Sequence, residues 1–263
     1  CRFGDRNESS QALLSKWCHS KKGIGILTKE KRSKMQYETI QKGIFQSRPN
    51  RFVAYVTIDG KEEKVHVKNT GRCKELLLPK TTVFLEKSKN TNRKTKYSLV
   101  AVYKGNNLIN MDSQAPNVVV KEALHLGKIT EIGIPSFVKR EVKFGNSRFD
   151  IYYEKEQKRG FIEVKGVTLE ENAVGLFPDA PTQRGTKHIY ELIQAKKEGY
   201  EANILFLIQM QGVDSMRPHW KRDVDFANAL QQAQKQGVAI LAYDCIVKED
   251  SICLAKKVPF FIK

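Results

Sequence analysis

Between Phe45 and about Gln114, apolar and polar residues alternate with a period of two, as expected of strands with one buried face. "RFVAYVTIDGKEEKVHV" sets Asp59-Gly60 between two alternating runs, a strong short-range hairpin signal. A two-residue turn pairs Ile58 with Lys61, and hence Phe52 with Val67 and Ala54 with Val65 on one face. Tyr55 with Lys64, Val53 with His66 and Arg51 with Lys68 share the other. The first face predicts core, the second a basic surface with one aromatic. "TTVFLEKS" and "KYSLVAVYKGNNLINMD", with a turn at Gly105-Asn106-Asn107, continue the pattern. Length and face both fit a five-stranded barrel of the OB type. Arg51, Tyr55, Lys64, His66 and Lys68 become candidate nucleic-acid contacts, although an ordinary solvated face explains any single one of them as well.

After Gln114 the pattern changes to mixed α/β. "APNVVVKEALHLG" predicts a short helix ended by Gly127. "SFVKREVKF" and "RFDIYYEK" alternate around Gly145-Asn146-Ser147, and "GFIEVKGVTL" follows the polar connection "EKEQKRG", so three adjacent strands are implied. In "PTQRGTKHIYELIQAKKEG", Ile189, Leu192 and Ile193 recur at helical spacing up to Gly199. "ANILFLIQM" and "VAILAYDCIV" read as buried strands, with the helix "DVDFANALQQAQKQG" between them. The predicted order is helix, three strands, helix, strand, and then a further helix and strand.

Composition narrows the class. The chain of 263 residues has room for two domains, read here as 35–114 and 115–263, with 1–34 as an appendage lacking sustained periodicity. Forty-six Lys and Arg against 29 Asp and Glu give a net charge of +17, which favours polyanionic partners, DNA or RNA before an anionic membrane. Residues 1–34 carry nine Lys/Arg and three Asp/Glu, so most of the excess belongs to the folded part. No spanning stretch and no export signal are evident, which predicts no membrane partner and a cytoplasmic location. Cys1 at the start would also suit a processed lipoprotein, the less favoured reading. The five cysteines form neither a CxxC pair nor a ligand cluster and are read as free thiols. The sequence leaves a homodimer open.

"FIEVKGVTL" places Glu163 and Lys165 on one strand face and Ile162 and Val164 on the other. Ions leave water at a cost of several kcal/mol each unless paired or bound, so the pair is a salt bridge at a sheet rim or part of a site. Asp150, in "RFDIYY" on the preceding strand, can converge with them. Two acids at a strand junction suit hard cations such as Mg²⁺ or Mn²⁺. A neighbouring lysine can then orient water or balance charge on a phosphate.

The order of elements, with Asp150, Glu163 and Lys165, resembles the PD-(D/E)xK nuclease superfamily, although Phe149 stands where the motif's proline would be. That resemblance implies metal binding by Asp150 and Glu163 and, by placement only, by Glu122 on the first helix. "HVKNTGRCKELLLP", "EVKFGNSRFDIYY", "IEVKGVTL" and "FPDAPTQRGTKHIYEL" are similar, more narrowly, to the sugar fermentation stimulation protein A (SfsA) family, from about Met35 to the C-terminus. This resemblance implies an OB-like domain followed by a nuclease-like mixed sheet flanked by helices, with nucleic-acid binding as the attributed activity.

In the long motif, Thr182 or Asp179 can cap the helix, and Arg184, His188 and Glu191 form one stripe expected to face away from the core ridge. Arg184 could grip a phosphate while His188 reaches a phosphate oxygen or the leaving group; alternatively the stripe is a solvated face with an Arg–Glu pair. Gly166 and Gly185 are expected to allow close backbone approach. The preferred reading is a nuclease cutting DNA or RNA with Mg²⁺ or Mn²⁺, using Asp150, Glu163, Lys165 and His188. Two others stand beside it: a non-cleaving DNA-binding regulator linked to sugar (maltose) metabolism, and an enzyme acting on a small phosphorylated substrate. The retained acids and lysine argue against the regulator, and the charge of the chain favours a polymer over a small substrate.

Overall fold

Strand β2 (Ile40–Asn50), β3 (Val53–Ile58), β4 (Lys61–Val67), β5 (Thr82–Lys87) and β6 (Tyr97–Lys104) pair in the order β4-β3-β2-β5-β6. A parallel contact of β4 with β6 closes them into a five-stranded barrel, which leaves no barrel edge unpaired. The computed structural model describes residues 34–69 and 71–263, so the expected appendage lies outside the described residues except for Lys34. Asp59 and Gly60 have φ of 48° and 79°, the positive values a tight hairpin turn needs, and they fix the predicted register Ala54↔Val65 and Tyr55↔Lys64. Phe52 departs from expectation. It is 55% exposed rather than in the core, because Arg51 and Phe52 form the turn between β2 and β3 and the alternation begins only at Val53.

From β6 the chain turns into β7 (Asn107–Asn110) and then α1 (Ala115–His125). The larger sheet runs β1-β16-β15-β13-β10-β9-β8, comprising β1 (Met35–Gln36), β8 (Phe137–Phe144), β9 (Ser147–Lys155), β10 (Lys158–Val167), β13 (Glu201–Ile208), β15 (Ala239–Lys248) and β16 (Ser251–Lys257). Helices α2 (Gln183–Lys197) and α3 (Val224–Lys235) connect the parallel strands β10, β13 and β15. A small sheet of β11 (Leu169–Glu171), β12 (Val174–Phe177) and β14 (Ser215–Pro218) sits between them in sequence.

The two faces of β10 carry different cores. Ile162 and Val164 join Val119, Val120 and Leu124 of α1, while Phe161 joins Ile189, Leu192 and Ile193 of α2. Burying side chains of this size stabilises the fold by about 1.5–3 kcal/mol each. The α2 core continues into the barrel through Phe45, Val65 and Leu99, so the barrel and the C-terminal sheet share one apolar interior. Buried Gln209 adds a polar tie, its Nε2 donating to Asn110 Oδ1 at 2.9 Å and to the carbonyls of Asn110 and Asp112. Among the described residues no helix is long and apolar enough to cross a membrane.

Candidate active site

The β9–β10 ladder ends at the pair Ile151↔Ile162. One residue further on, the Asp150 carboxylate takes the place of a backbone partner: Oδ2 accepts the Val164 amide at 2.9 Å, and Oδ1 accepts Asn117 Nδ2 of α1 at 2.8 Å. Asp150 is thus fixed by β10 and α1 together. Glu163 is 2% exposed, and its Oε1 accepts both Lys165 Nζ at 2.6 Å and His188 Nδ1 at 2.5 Å. Its Oε2 is buried with no partner. Leaving such an oxygen unsatisfied costs about 1–3 kcal/mol, more for a charged group.

His188 corrects the expected orientation of the α2 stripe. It is 6% exposed and turned into the site rather than away from the core, because α2 packs over the face of β10 that bears Glu163. Arg184 Nε lies 3.5 Å from His188 Nε2, a long contact, and is itself exposed. With Nε2 facing that donor, the ring proton sits on Nδ1 and points at Glu163. Thr182 is the cap of α2, Oγ1 accepting the Gly185 amide at 3.0 Å, whereas Asp179 Oδ2 accepts the Arg72 amide at 3.1 Å. A Cβ on Gly185 would stand 2.8 Å from Thr182 Cγ2 and 3.2 Å from Phe226, so glycine there serves packing against α3.

The two carboxylates sit in different fields. Burial, then the charge of Glu163, pushes the Asp150 carboxyl above its ordinary value. Burial pushes Glu163 up as well, but Lys165 and His188 outweigh it and hold the carboxyl below the usual range. Glu122 is half-buried in α1, its carboxyl raised by burial. It lies five residues past Asn117, about 7–8 Å further along the axis at ~1.5 Å per residue and on another side of the helix. Asn117, not Glu122, is the α1 residue bonded to Asp150. Among the described residues no three His, Cys, Asp or Glu side chains form a ready cation cage. The oxygens at hand are those of Asp150 and the free Oε2 of Glu163, a hard donor set that fits a divalent cation completed by water.

A cleft of about 340 Å³ is lined by Gly166, the residue after Lys165, with Thr168, Asp179 and, from the barrel, Arg51, Asn69 and Gly71. A Cβ on Gly166 would come within 2.4 Å of Gln209 Oε1 and 2.8 Å of Pro116 Cγ, so the backbone passes too close there for any other residue. The remaining barrel candidates spread apart. Tyr55 and Lys64 pair on the outward face of β3 and β4, and His66 Nδ1 lies 3.1 Å from the Phe52 carbonyl. Lys68 is held by Glu86 at 3.3 Å and Asp112 at 3.1 Å, which places its charge in an internal ion pair. Sequence reasoning did not find Asn117 or Gln209. The one available signal was an amide in the first turn of a helix otherwise written in valines.

The profile described as "SfsA N-terminal OB domain" matches residues 47–111, and that described as "Sugar fermentation stimulation protein RE domain" matches residues 114–251. The chain belongs to the sugar fermentation stimulation protein family. A family member from Alkaliphilus oremlandii is 52% identical over 229 residues, 85% of this chain and 97% of that relative. One from Desulfitobacterium hafniense is 57% identical over 218 residues, covering 83% and 94%. The solved structure of Pyrococcus furiosus SfsA in complex with Ca²⁺ superposes with a TM-score of 0.79 at 27% identity, over 87% of this chain and 99% of that one. The SfsA profiles adjoin at Asp112–Ser113, in the segment that leads from β7 into α1 and lines the cleft.

Proposed function

We propose that this SfsA family member is a divalent-metal-dependent nuclease that hydrolyses phosphodiester bonds of DNA or RNA. The observation that carries the reading is the buried, unpartnered Oε2 of Glu163 beside an Asp150 carboxylate held by the Val164 amide. A buried carboxylate oxygen without a partner calls for an explanation, and with a second carboxylate near it a bound cation supplies one. Asp150 and Glu163 would hold Mg²⁺ or Mn²⁺, which when bound lowers the pKa of water and offsets charge on phosphate. The Ca²⁺ recorded with the Pyrococcus furiosus relative supports a divalent-cation site in the family.

Lys165 is 14% exposed and pinned by Glu163, so its ammonium is preorganised to donate to a phosphoryl oxygen or to the attacking water. In the reaction the water oxygen bonds to phosphorus, the bond from phosphorus to the leaving nucleoside oxygen breaks, and a proton ends on that oxygen. His188 positions Glu163, and exposed Arg184 is placed at the helix start to take a phosphate oxygen. The barrel at the cleft mouth and the net charge of +17 support a polymeric substrate over a small one.

The deciding experiment is incubation with single- and double-stranded DNA and RNA in Mg²⁺, Mn²⁺ or EDTA. Cleavage in metal, absent in EDTA and in Glu163→Gln, is expected; binding without cleavage under every condition would leave the non-cleaving regulator. A separate expectation concerns Asn117. Asn117→Ala should weaken Mn²⁺ binding by calorimetry roughly 10- to 100-fold, as loss of a hydrogen bond behind a metal ligand does. An unchanged affinity would remove α1 from the site.

A further inference from the structure

A second cleft, of about 430 Å³, lies along the barrel between the end of β2 and the loop from Gly71 to Pro79. It shares Arg51 and Gly71 with the cleft that opens at Gly166, so the two adjoin and run on to the residue next to Lys165. Arg51, Arg72 and Lys74 stand on this path and are exposed. Among the described residues none of the three is in an ion pair with a carboxylate. Arg48, also on the wall, is spent on backbone carbonyls. Among the described residues the one acid lining either cleft is Asp179, and its Oδ2 is tied to the Arg72 amide at 3.1 Å. Arg72 is held from both sides, since its carbonyl accepts Arg48 at 2.7 Å, so its guanidinium projects from a fixed backbone. Phe52, next to Arg51 in the turn, is 55% exposed.

We propose that a single-stranded polynucleotide runs along these joined clefts to the site at Lys165, with Arg51, Arg72 and Lys74 on its phosphates and Phe52 stacking a base. The inference rests on the nucleic-acid reading above and names both the form of the substrate and its track. Cations along a groove beside an exposed aromatic are what single-strand binding uses, because every base has a face to stack. Clefts of this size fall near the small end of ligand pockets, about 300–1,000 Å³, enough for a nucleotide or two. The track differs from the outward face of Tyr55 and Lys64, which the hairpin pattern alone singles out.

The test is fluorescence anisotropy with a labelled 15-nucleotide oligothymidylate and with a duplex of the same length, in EDTA so that binding is read without cleavage. Arg72→Glu with Lys74→Glu is expected to weaken single-strand binding more than tenfold. It should also reduce the slope of log affinity against log salt by about 1.4, at ~0.7 per phosphate contact. Phe52→Ala should lose roughly tenfold with the slope unchanged. Lys64→Glu, on the outward face, should lose less than Arg72→Glu or Lys74→Glu alone. Equal or larger loss in that outward variant, or tighter wild-type binding to duplex than to single strand, would overturn the track while leaving a nucleic-acid protein. No binding by the wild type to either probe would overturn the nucleic-acid reading and the track with it.

Discussion

Lys165→Met is expected to lower phosphodiester cleavage roughly 10³-fold, the scale set by removing one preorganised donor from a developing negative charge. Methionine keeps much of the aliphatic stem and its packing, so the loss isolates the ammonium. Glu163 Oε1 retains His188 Nδ1 at 2.5 Å after the change, and the buried carboxylate is not left bare. Mn²⁺ should therefore raise the melting temperature of Lys165→Met as much as that of the wild type. Asp150→Asn and Glu163→Gln should abolish that rise along with cleavage. If the trio were only a structural salt bridge, Lys165→Met would cost stability through the lost bond to buried Glu163, and Mn²⁺ would raise the melting temperature of none of the proteins. Melts of all four proteins with and without Mn²⁺, beside the cleavage assay, separate the cases. Strong destabilisation by Lys165→Met, with no Mn²⁺ effect on the wild type, would sink the catalytic role.

Arg48→Ala should produce the largest loss of stability from any single polar side chain in the barrel. Its guanidinium donates to the carbonyls of Asn69 and Arg72 at 2.7 Å, Arg51 at 2.9 Å and Gly71 at 3.0 Å, tying the β2–β3 turn to the loop beyond β4. Hydrogen bonds to a charged group contribute about 1.5–3 kcal/mol each when buried. Two of these four are at the surface, so a total near 3 kcal/mol is expected, about 6–12 °C in a chain of this size. Urea denaturation should show the midpoint falling with an unchanged slope. Arg48→Lys should recover little, since a single ammonium cannot span four carbonyls. A loss below about 0.5 kcal/mol in Arg48→Ala would show that the loop is held by other contacts.

Much of this architecture was legible because its signals are local. Asp59-Gly60 announced its turn by residue type, and the runs that became β9, β10, β13 and β15 were long enough to show their period. Glu163 and Lys165 could be assigned to one face from strand alternation alone. What failed depended on distance along the chain. Phe52 was assigned inward by an alternation that the β2–β3 turn interrupts, and the α2 stripe was assigned outward because nothing in the helix tells where Glu163 lies. Lys68 looked free until Glu86 and Asp112 were brought to it across 18 and 44 residues. The strands β11, β12 and β14, of three or four residues each, are too short for any period to appear.

The two-residue strand β1 has a bearing on how the protein is made. Met35 and Gln36 pair with Ile252 and Ser251, and Tyr37, buried at 3%, donates its amide to the Asp250 carbonyl, so the chain just ahead of the barrel closes the edge formed by its last strand. Lys34 and Ser251, which are hydrogen-bonded, are 217 residues apart in sequence. On a ribosome adding about 5–20 residues per second, β1 waits on the order of 10–40 s for its partner to emerge. Through that interval the barrel can form, but the large sheet lacks its closing strand, and the exposed edge is open to pairing with another nascent chain. Overproduction should therefore stress this protein late in synthesis, and a holdase that shields the C-terminal strands would improve its yield more than one acting on the barrel.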